Sequence, residues 1–280
     1  MPLNVKTFFK STVSKLLPAY EQEEAKSIVF LLMEDVLGLS KIDILSQKEI
    51  VIHDAEKRIL DKALERLLSH EPIQYVLGET VFYGSHFFVD QNVLIPRQET
   101  EELVDWIVKS NPLSRRILDI GTGSGCIAIS LDLKLGAKTT GWDVSTPAIE
   151  VARRNATSLG ADTIFKQIDV LDKVPTEKFD LIVSNPPYIL DRERNDMHKN
   201  VLAYEPAGAL FVSDEDPLLF YRRIVEVAED LLSHSGWLYF EINESYGKEV
   251  WTLMKSNGFE EVELKKDLNG KDRMVRGKKL

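Results

Sequence analysis

A regular alternation of short apolar strands and amphipathic helices, starting at Arg115, is the feature that most restricts how this chain can fold. The predicted strands are 116–120, 139–144, 163–168, 179–183, 237–242, 262–266 and 273–278. The last two strands are separated only by residues 267–272, too short a segment for a crossover helix, so they must be antiparallel. The pattern therefore predicts an α/β fold, with helices on both faces of a mostly parallel sheet and an antiparallel edge.

Capping residues mark the helices within this region. Thr146 is the predicted N-cap of a helix that has Pro147 at its first position and ends at Gly160. Asp216 and Pro217 are predicted to open another helix, which runs to residue 234. Further helices are predicted at 248–256 and, before the first strand, at 100–109.

Residues 1–70 follow a helical period instead. Their apolar positions recur at helical spacing: Ile28, Leu31, Leu32 and Val36, then Ile59, Ala63, Leu64, Leu67 and Leu68. Gly38 is the predicted end of the first run, and Pro72 ends the pattern because a residue before proline is disfavoured in the α region. The next stretch, 75–95, is rich in Val, Phe and Tyr and predicts a short hairpin or linker.

Composition excludes several classes of protein. The chain has 280 residues, 44% hydrophobic and 29% charged, which excludes disordered, collagen-like and low-complexity chains. The net charge of −10 repels a phosphate backbone on average, although a local basic patch is still possible. The apolar runs are short, such as 28–33, and the N-terminus lacks a signal-peptide pattern. We expect a cytoplasmic protein that does not enter a membrane, and a monomer.

We predict no metal-binding or catalytic role for the histidines, the cysteine or the basic residues near the C-terminus. The five histidines are scattered without ligand spacing, so no metal site is predicted. The single cysteine, Cys126, cannot form an internal disulfide and is best interpreted as a small buried helix residue, although a helix start can lower a thiol pKa. The basic run 265–279 is interpreted as a solvated edge strand in preference to a contact with RNA.

The first strand leads into a glycine-rich turn, Asp119-Ile120-Gly121-Thr122-Gly123-Ser124-Gly125, and then a helix. In an open α/β sheet this is where nucleotide-like ligands bind, and glycine allows a ligand to approach the backbone closely. A tight connection without a ligand is the alternative. The G-x-G-x-G spacing departs from the dinucleotide fingerprint G-x-G-x-x-G, which disfavours a dehydrogenase.

Asp143 ends the second strand, beside the predicted position of that turn. A carboxylate there can accept hydrogen bonds from both ribose hydroxyls of a nucleoside. Stabilising the N-terminus of the following helix is the alternative role. The glycine turn and the acid together favour the ribose role.

The most specific signal is Asn185-Pro186-Pro187-Tyr188, directly after the strand that ends near Ser184. The two prolines restrict the backbone and remove two N–H donors, so the loop presents carbonyl oxygens. Asn185 adds a side-chain acceptor and Tyr188 adds a flat aromatic face. This loop suits a planar group that bears an NH2; a rigid turn without function is the alternative.

These three motifs together resemble class I S-adenosylmethionine-dependent methyltransferases that act on an amide or exocyclic amine nitrogen. Four segments, PIQYVLG at 72–78, LIPRQET at 94–100, NPPYI at 185–189 and EPAGAL at 205–210, are similar to those of the HemK/PrmC family, the release factor glutamine methyltransferases. The similarity runs from about residue 20 to the C-terminus. Gln98 departs from it, since the family more often has Pro there, and this should loosen the turn slightly.

The resemblance implies a seven-stranded, Rossmann-like class I methyltransferase domain over 99–280, preceded by a helical substrate-recognition domain over 1–72 and a β-hairpin linker over 73–98. It implies S-adenosyl-L-methionine as cofactor. The implied cofactor-binding residues are Gly121, Thr122, Gly123, Ser124, Gly125, Asp143, Asp169, Val170 and Asn185. Val170 is smaller than the residue often found there, which should weaken the packing of adenine.

The implied substrate is the Gln of the Gly-Gly-Gln motif in class 1 peptide chain release factors. The implied catalytic loop is Asn185, Pro186, Pro187 and Tyr188. In this hypothesis Asn185 Oδ1 and the Pro186 carbonyl accept hydrogen bonds from the substrate NH2, and Tyr188 packs against the amide plane. No general base is evident nearby in the sequence, so the proton is expected to leave to water.

Two other functions compete with this one. An adenine amino-methyltransferase acting on DNA or RNA is the stronger, because loops of the NPPY type also serve that chemistry. The net charge and the absence of an arginine-rich or aromatic-rich recognition segment argue against it, so no stable nucleic-acid binding is expected. A non-catalytic protein that retains the cofactor fold is disfavoured because all three motifs are intact.

Overall fold

The computed structural model describes residues 2–46 and 48–280, which form two units. The first unit runs to Gly78 and also contains His198–Tyr204, and the second contains Glu79–Met197 and Glu205–Leu280. None of the helices in the described ranges combines the length and the apolar character that crossing a membrane requires.

The first unit is helical, as predicted. Its helices are α1 (Val5–Leu16), α2 (Gln22–Leu37), α3 (Lys41–Leu45), α4 (Asp54–Leu68) and α5 (Ile73–Leu77), and a short antiparallel pair joins β1 (Leu3–Asn4) to β2 (Glu49–Ile50). Asn4 caps α1 by accepting a hydrogen bond from the Thr7 backbone N–H, and Gly38 ends α2 in the left-handed conformation. Apolar side chains from α1 to α5 pack into one core.

The apolar pattern of this unit is only partly buried, because Leu31, Ile59 and Leu68 are exposed on α2 and α4. One prediction for this unit was wrong. Residues 75–77 belong to α5 and not to an extended linker. Gly78 adopts a φ of 78° and its N–H bonds to the Gln74 carbonyl, which closes this short helix.

The second unit opens with the predicted hairpin, in which β3 (Glu79–Phe82) and β4 (Ser85–Phe88) are antiparallel. Tyr83 and Gly84 form the two-residue turn, and both have positive φ, as tight hairpins require. A helix, α6 (Gln98–Ser110), follows.

Strands and helices then alternate along the chain, as predicted. The elements are β5 (Arg116–Ile120), α7 (Cys126–Leu135), β6 (Lys138–Asp143), α8 (Thr146–Leu159), β7 (Ile164–Gln167) and β8 (Phe179–Ser184). The segment after β8 holds β9 (Ile189–Leu190), a 3-10 turn (Asp191–Asp196), α9 (Lys199–Tyr204), α10 (Ala207–Leu210) and β10 (Phe211–Val212), which pairs in parallel with β9. Of these, α9 is part of the first unit, where the Tyr204 hydroxyl donates to the Ser69 carbonyl at 2.8 Å.

The chain ends with α11 (Leu219–Leu231), β11 (Leu232–Glu241), a 3-10 turn (Glu244–Tyr246), α12 (Gly247–Ser256), β12 (Phe259–Lys266) and β13 (Asp272–Lys279). The predicted seven-stranded sheet is confirmed, with the order β12-β13-β11-β8-β5-β6-β7. Only β13 runs against its neighbours, and it lies between β11 and β12. The predicted antiparallel edge is therefore confirmed.

Strand residues alternate between two apolar cores. Ile117 and Leu181 face the core that includes α6, α7 and α8, whereas Leu118 and Ile182 face the core that includes α11 and α12. Helices thus cover both faces of the sheet and leave the carboxyl ends of the parallel strands to form a site.

Two helix boundaries differ from prediction. Ser145 caps α8, because its hydroxyl accepts the Ala148 N–H at 3.2 Å, and Thr146 is already helical. Asp216 lies in a turn before α11, and residues 232–234 belong to β11 because Leu232 pairs with Phe179 of β8. The tertiary pairing with β8 overrides the local helical pattern there.

Candidate active site

A cavity of about 340 Å³ opens at the carboxyl ends of β5, β6 and β8. The described residues that line it come from the segment before α6, the glycine turn, the end of β6, the segment after β7, the loop after β8 and the start of α10. Eleven residues decide its chemistry: Arg97, Thr100, Gly121, Thr122, Gly123, Ser124, Asp143, Asp169, Asn185, Pro186 and Pro187. The fold thus brings the three predicted motifs to one place.

The glycine turn has a backbone that other residues adopt only with strain. Gly121, Gly123 and Gly125 all have positive φ, of 76°, 53° and 80°. A Cβ on Gly125 would lie 3.0 Å from Ile129 Cδ1 and from Phe165 Cζ, whereas a Cβ on Gly123 would meet nothing within 4 Å. Gly125 is therefore needed for packing, and Gly123 leaves open space that a ligand can occupy.

Polar groups hold this turn in place. The backbone N–H groups of Gly121 and Thr122 both donate to the Trp142 carbonyl at 2.9 Å, and the Thr122 hydroxyl donates to buried Asp119 at 2.6 Å. Burial raises the pKa of Asp119 to about 7. The turn is therefore preorganised by the two neighbouring strands.

Asp143 performs one of the two roles considered for it, at the N-terminus of the following helix, and also contacts the glycine turn. Its Oδ2 accepts the Gly123 N–H and its Oδ1 accepts the Ser145 N–H, both at 2.9 Å, so it joins the glycine turn to the start of α8. Burial raises the pKa of Asp143 against the effect of these donors. The carboxylate lines the cavity and has acceptor capacity beyond these bonds, so it can accept a hydrogen bond from a ribose hydroxyl.

The wall near the predicted adenine site is apolar. Val170 and Asp169 both line the cavity, and Asp169 is held by the Leu171 N–H at 2.9 Å. Phe220 and Ile224 of α11 line the cavity as well. Sequence reasoning missed these two residues, which add apolar surface where Val170 is small. A nucleoside with a ribose acceptor and an apolar base wall fits this part of the cavity, and these roles remain predictions.

Asn185 and Pro186 bring the acceptor loop next to the glycine turn. The Asn185 carbonyl oxygen lies 3.8 Å from the position of a Cβ on Gly121, and the Ser184 hydroxyl bonds to the Ile120 carbonyl at 2.7 Å. The side-chain Nδ2 of Asn185 donates to Thr100 Oγ1 at 3.3 Å. Its Oδ1 is therefore the atom left for a ligand.

Tyr188 is placed differently from its three neighbours in the motif. It is not among the described residues that line the cavity, and its ring packs against the core that contains α11. Its hydroxyl donates to Glu241 Oε1 at 3.1 Å, and burial raises its pKa far above the ordinary range. The packing of Tyr188 on a substrate amide stays a prediction.

Sequence reasoning missed Glu241 and Thr100. Glu241 ends β11 and is only 1% exposed, and its Oε2 accepts the Thr100 hydroxyl at 2.6 Å. Burial raises the pKa of Glu241, although hydrogen bonds from Thr100 and Tyr188 oppose this. An acid at a strand end beside the site was the available signal, because Asp143 occupies an equivalent position in β6.

A second missed pair is Arg97 and Glu205. One guanidinium nitrogen of Arg97 donates to both Glu205 oxygens, at 2.6 and 2.8 Å, and the Ile95 N–H adds a bond at 3.3 Å. The Glu205 side chain is buried, and Arg97 lines the cavity. The two residues lie in the LIPRQET and EPAGAL segments, so their opposite charges were a signal for pairing.

Cys126 lies at the start of α7 and also lines the cavity. Burial raises its pKa to about 12, which confirms the interpretation as a buried helix residue over a reactive thiol. Across residues 2–46 and 48–280, no group of three or more His, Cys, Asp or Glu residues is arranged to hold a metal ion.

Two family models match the chain. The methyltransferase small domain matches residues 98–210, and the PrmC N-terminal domain matches residues 10–78. The methyltransferase match confirms the predicted class of enzyme and supports S-adenosyl-L-methionine as its cofactor. Among solved structures, a methyltransferase from Pyrococcus furiosus is similar with a TM-score of 0.55 and 17% identity, covering 78% of this chain and 98% of that chain, which supports the fold.

Two curated relatives are similar over nearly the whole chain. The release factor glutamine methyltransferase of Bacteroides thetaiotaomicron is 48% identical over 259 residues, 91% of this chain and 93% of that protein. The protein of the same name from Flavobacterium psychrophilum is 42% identical over 279 residues, 97% of this chain and 98% of that protein. The predicted resemblance is confirmed: this chain belongs to the family of release factor glutamine methyltransferases.

Proposed function

We propose that this chain transfers a methyl group from S-adenosyl-L-methionine to the side-chain amide nitrogen of the glutamine in the Gly-Gly-Gln motif of class 1 peptide chain release factors. The observation that carries the proposal is that Asn185, Pro186 and Pro187 line one cavity with the glycine turn, side by side at Asn185 and Gly121. The names of the relatives support a release factor as partner.

The chemical difficulty is the acceptor nitrogen. When bound, the cofactor supplies an electrophilic methyl group on a sulfonium. An amide nitrogen is a poor nucleophile because its lone pair is delocalised into the carbonyl. The task of the protein is to hold that nitrogen in line with the methyl group, and such positioning contributes up to about 7–11 kcal/mol in favourable cases.

Asn185 and Pro186 are suited to this task. Asn185 Oδ1 and the Pro186 carbonyl are two acceptors for the two hydrogens of a primary amide. Hydrogen bonds accepted from the NH2 group strengthen as positive charge develops on nitrogen, so they stabilise the transition state more than the ground state. The proton then leaves to water, and no general base is required.

The first part of the chain has a different task in this proposal. We assign substrate recognition to residues 1–72, connection to the hairpin segment 73–98, and catalysis to 99–280. The match of the PrmC N-terminal domain to residues 10–78 supports this division. The net charge of −10 favours a protein partner over nucleic acid. We place the enzyme in the cytoplasm, where translation ends, and propose that it acts as a monomer.

Transfer of labelled methyl from S-adenosyl-L-methionine tests the proposal. The acceptors are a class 1 release factor, the same factor with its Gly-Gly-Gln glutamine changed to alanine, and adenine-containing DNA and RNA. We expect label on the intact factor alone. Label on nucleic acid and not on the factor would contradict the proposal and favour the adenine amino-methyltransferase.

A further inference from the structure

Glu241 is a buried carboxylate whose oxygens are taken by hydroxyls from two separate elements. Oε2 accepts from Thr100 of α6 at 2.6 Å, and Oε1 accepts from Tyr188 of the NPPY loop at 3.1 Å. Arg273, whose charge acts on Glu241, forms its own ion pairs with Asp267 at 3.1 Å and Glu244 at 3.6 Å. The direct partners of this charge are therefore hydroxyls on the substrate side, and not a cation.

The direction of these hydrogen bonds determines the orientation of Asn185. An ionised carboxylate can only accept, so the single hydroxyl proton of Thr100 is directed to Glu241. Thr100 Oγ1 can then only accept from its other neighbour, so Asn185 must present Nδ2 to it, at 3.3 Å. This leaves Oδ1, the acceptor, for the substrate.

We propose that Glu241 is a positioning residue that acts through Thr100 to fix which end of the Asn185 amide meets the substrate, and so selects an NH2-bearing acceptor. The inference rests on the proposed function, since it concerns the same acceptor loop. If the relay ran in the opposite direction, Thr100 would donate to Asn185 Oδ1, and Nδ2 would face the substrate NH2. Two donors would then oppose each other.

A purely structural role for Glu241 is the alternative. Burying a carboxylate without a directly paired cation costs free energy, and an apolar residue would fill the same space more cheaply. The structure also offers a control for this alternative. The Tyr221 hydroxyl donates to the backbone carbonyl of Glu241 at 3.3 Å and takes no part in the relay.

The test compares Thr100→Val, Thr100→Ser and Tyr221→Phe with wild type on the release factor. Valine keeps the shape of Thr100 but lacks the hydroxyl, so kcat should fall about 10- to 100-fold while KM for the cofactor changes little. Thr100→Ser should keep kcat within about threefold, because the hydroxyl remains. Tyr221→Phe should lower the melting temperature without changing kcat. Equal losses in the Val and Ser variants would overturn the relay.

A double-mutant cycle tests whether Glu241 acts through Thr100. In Glu241→Met the side chain offers no oxygen to either hydroxyl, so the Thr100 proton loses its acceptor, the relay is disturbed and kcat should fall. If the relay holds, the double variant Glu241→Met/Thr100→Val should be no slower than the slower single variant. Multiplied losses would show that the two residues act independently, and would overturn the proposal.

An NMR measurement that does not depend on methyl transfer tests this inference separately from the proposed function. The side-chain 15N–1H2 resonances of Asn185 should report one hydrogen-bonded proton in wild type and in Thr100→Ser, and should lose that difference in Thr100→Val. Unchanged resonances in Thr100→Val would overturn the relay. If wild type labels no release factor but these resonances behave as expected, the proposed function fails and the positioning of Asn185 stands.

Discussion

The two halves of the cavity are built in different ways. The half proposed for the cofactor consists mainly of backbone: three glycines with positive φ and backbone N–H groups of the turn, of which that of Gly123 donates to Asp143. The half proposed for the acceptor consists of the side chains of Thr100 and Asn185, which are hydrogen-bonded to Glu241 and, through it, to Tyr188 outside the cavity lining. In our proposal the first half holds a ligand through shape, whereas the second selects one through the direction of its donors and acceptors.

This difference indicates which substitutions should impair each half. A backbone site is damaged by an added Cβ, because the chain has no alternative conformation that retains the same surface. A side-chain site is damaged by loss of a single polar atom, even when packing and stability are unchanged. The two halves should therefore respond to different substitutions and in different measurements.

Asn185→Ala should have the largest effect and should separate the halves most clearly. It removes the acceptor for the substrate amide, so methyl transfer should fall by about 10²- to 10³-fold. Stability should change little, because Asn185 contributes one side-chain hydrogen bond to the fold. Single-turnover rates and chemical denaturation measure the two quantities. Near wild-type turnover would show that Asn185 is not the acceptor.

Gly125→Ala, compared with Gly136→Ala, tests the backbone half. Both glycines flank α7 with positive φ, so either substitution should cost about 1–2 kcal/mol of unfolding free energy through backbone strain. Only Gly125→Ala adds contacts of 3.0 Å, to Ile129 and Phe165, which should cost about 1–3 kcal/mol more and weaken cofactor binding. Chemical denaturation and cofactor titration check this. Equal losses would show that packing at the turn is unimportant.

The pH dependence of kcat tests the side-chain half. Burial raises the pKa of Glu241, which faces Tyr188, Arg273 and Glu99. Protonated Glu241 would donate to one of its hydroxyl partners instead of accepting, so kcat should fall as pH drops through the raised pKa. The acid limb should thus lie above the ordinary Glu value of about 4.3, falling about tenfold per pH unit. Glu241→Gln should abolish the limb; an identical limb in that variant would contradict this assignment.

The smallest effect is expected at Cys126, which lines the cavity from the cofactor side. Burial raises its pKa to about 12, so the thiol stays protonated at pH 8. Iodoacetamide should leave the folded protein unmodified over a time in which the denatured protein reacts completely, as followed by mass spectrometry. Rapid alkylation of the folded protein would show that this side of the cavity opens.

The contrast between the backbone half and the side-chain half also explains which parts of the site could be predicted from the sequence. The glycine turn, Asp143 and NPPY lie beside strand ends, so a local pattern places them correctly at one edge of the sheet. Thr100 belongs to the site only because α6 packs against β11, where the Thr100 hydroxyl donates to Glu241, and no local pattern records that contact. The predicted end of α11 was wrong for a related reason. Leu232 pairs with Phe179 of β8, so residues with a helical pattern belong to a strand.

Membership of α9 in the first unit bears on how the chain folds as it leaves the ribosome. Domains of a nascent chain ordinarily fold in turn, from the N-terminus onward. Here the first unit cannot be complete when Gly78 emerges, because one of its helices, α9, follows the NPPY loop in the sequence and bonds to Ser69 through Tyr204. The N-terminal unit must therefore remain unfinished while most of the catalytic sheet is still being synthesised, and a fragment cut after Gly78 would lack one of its own helices.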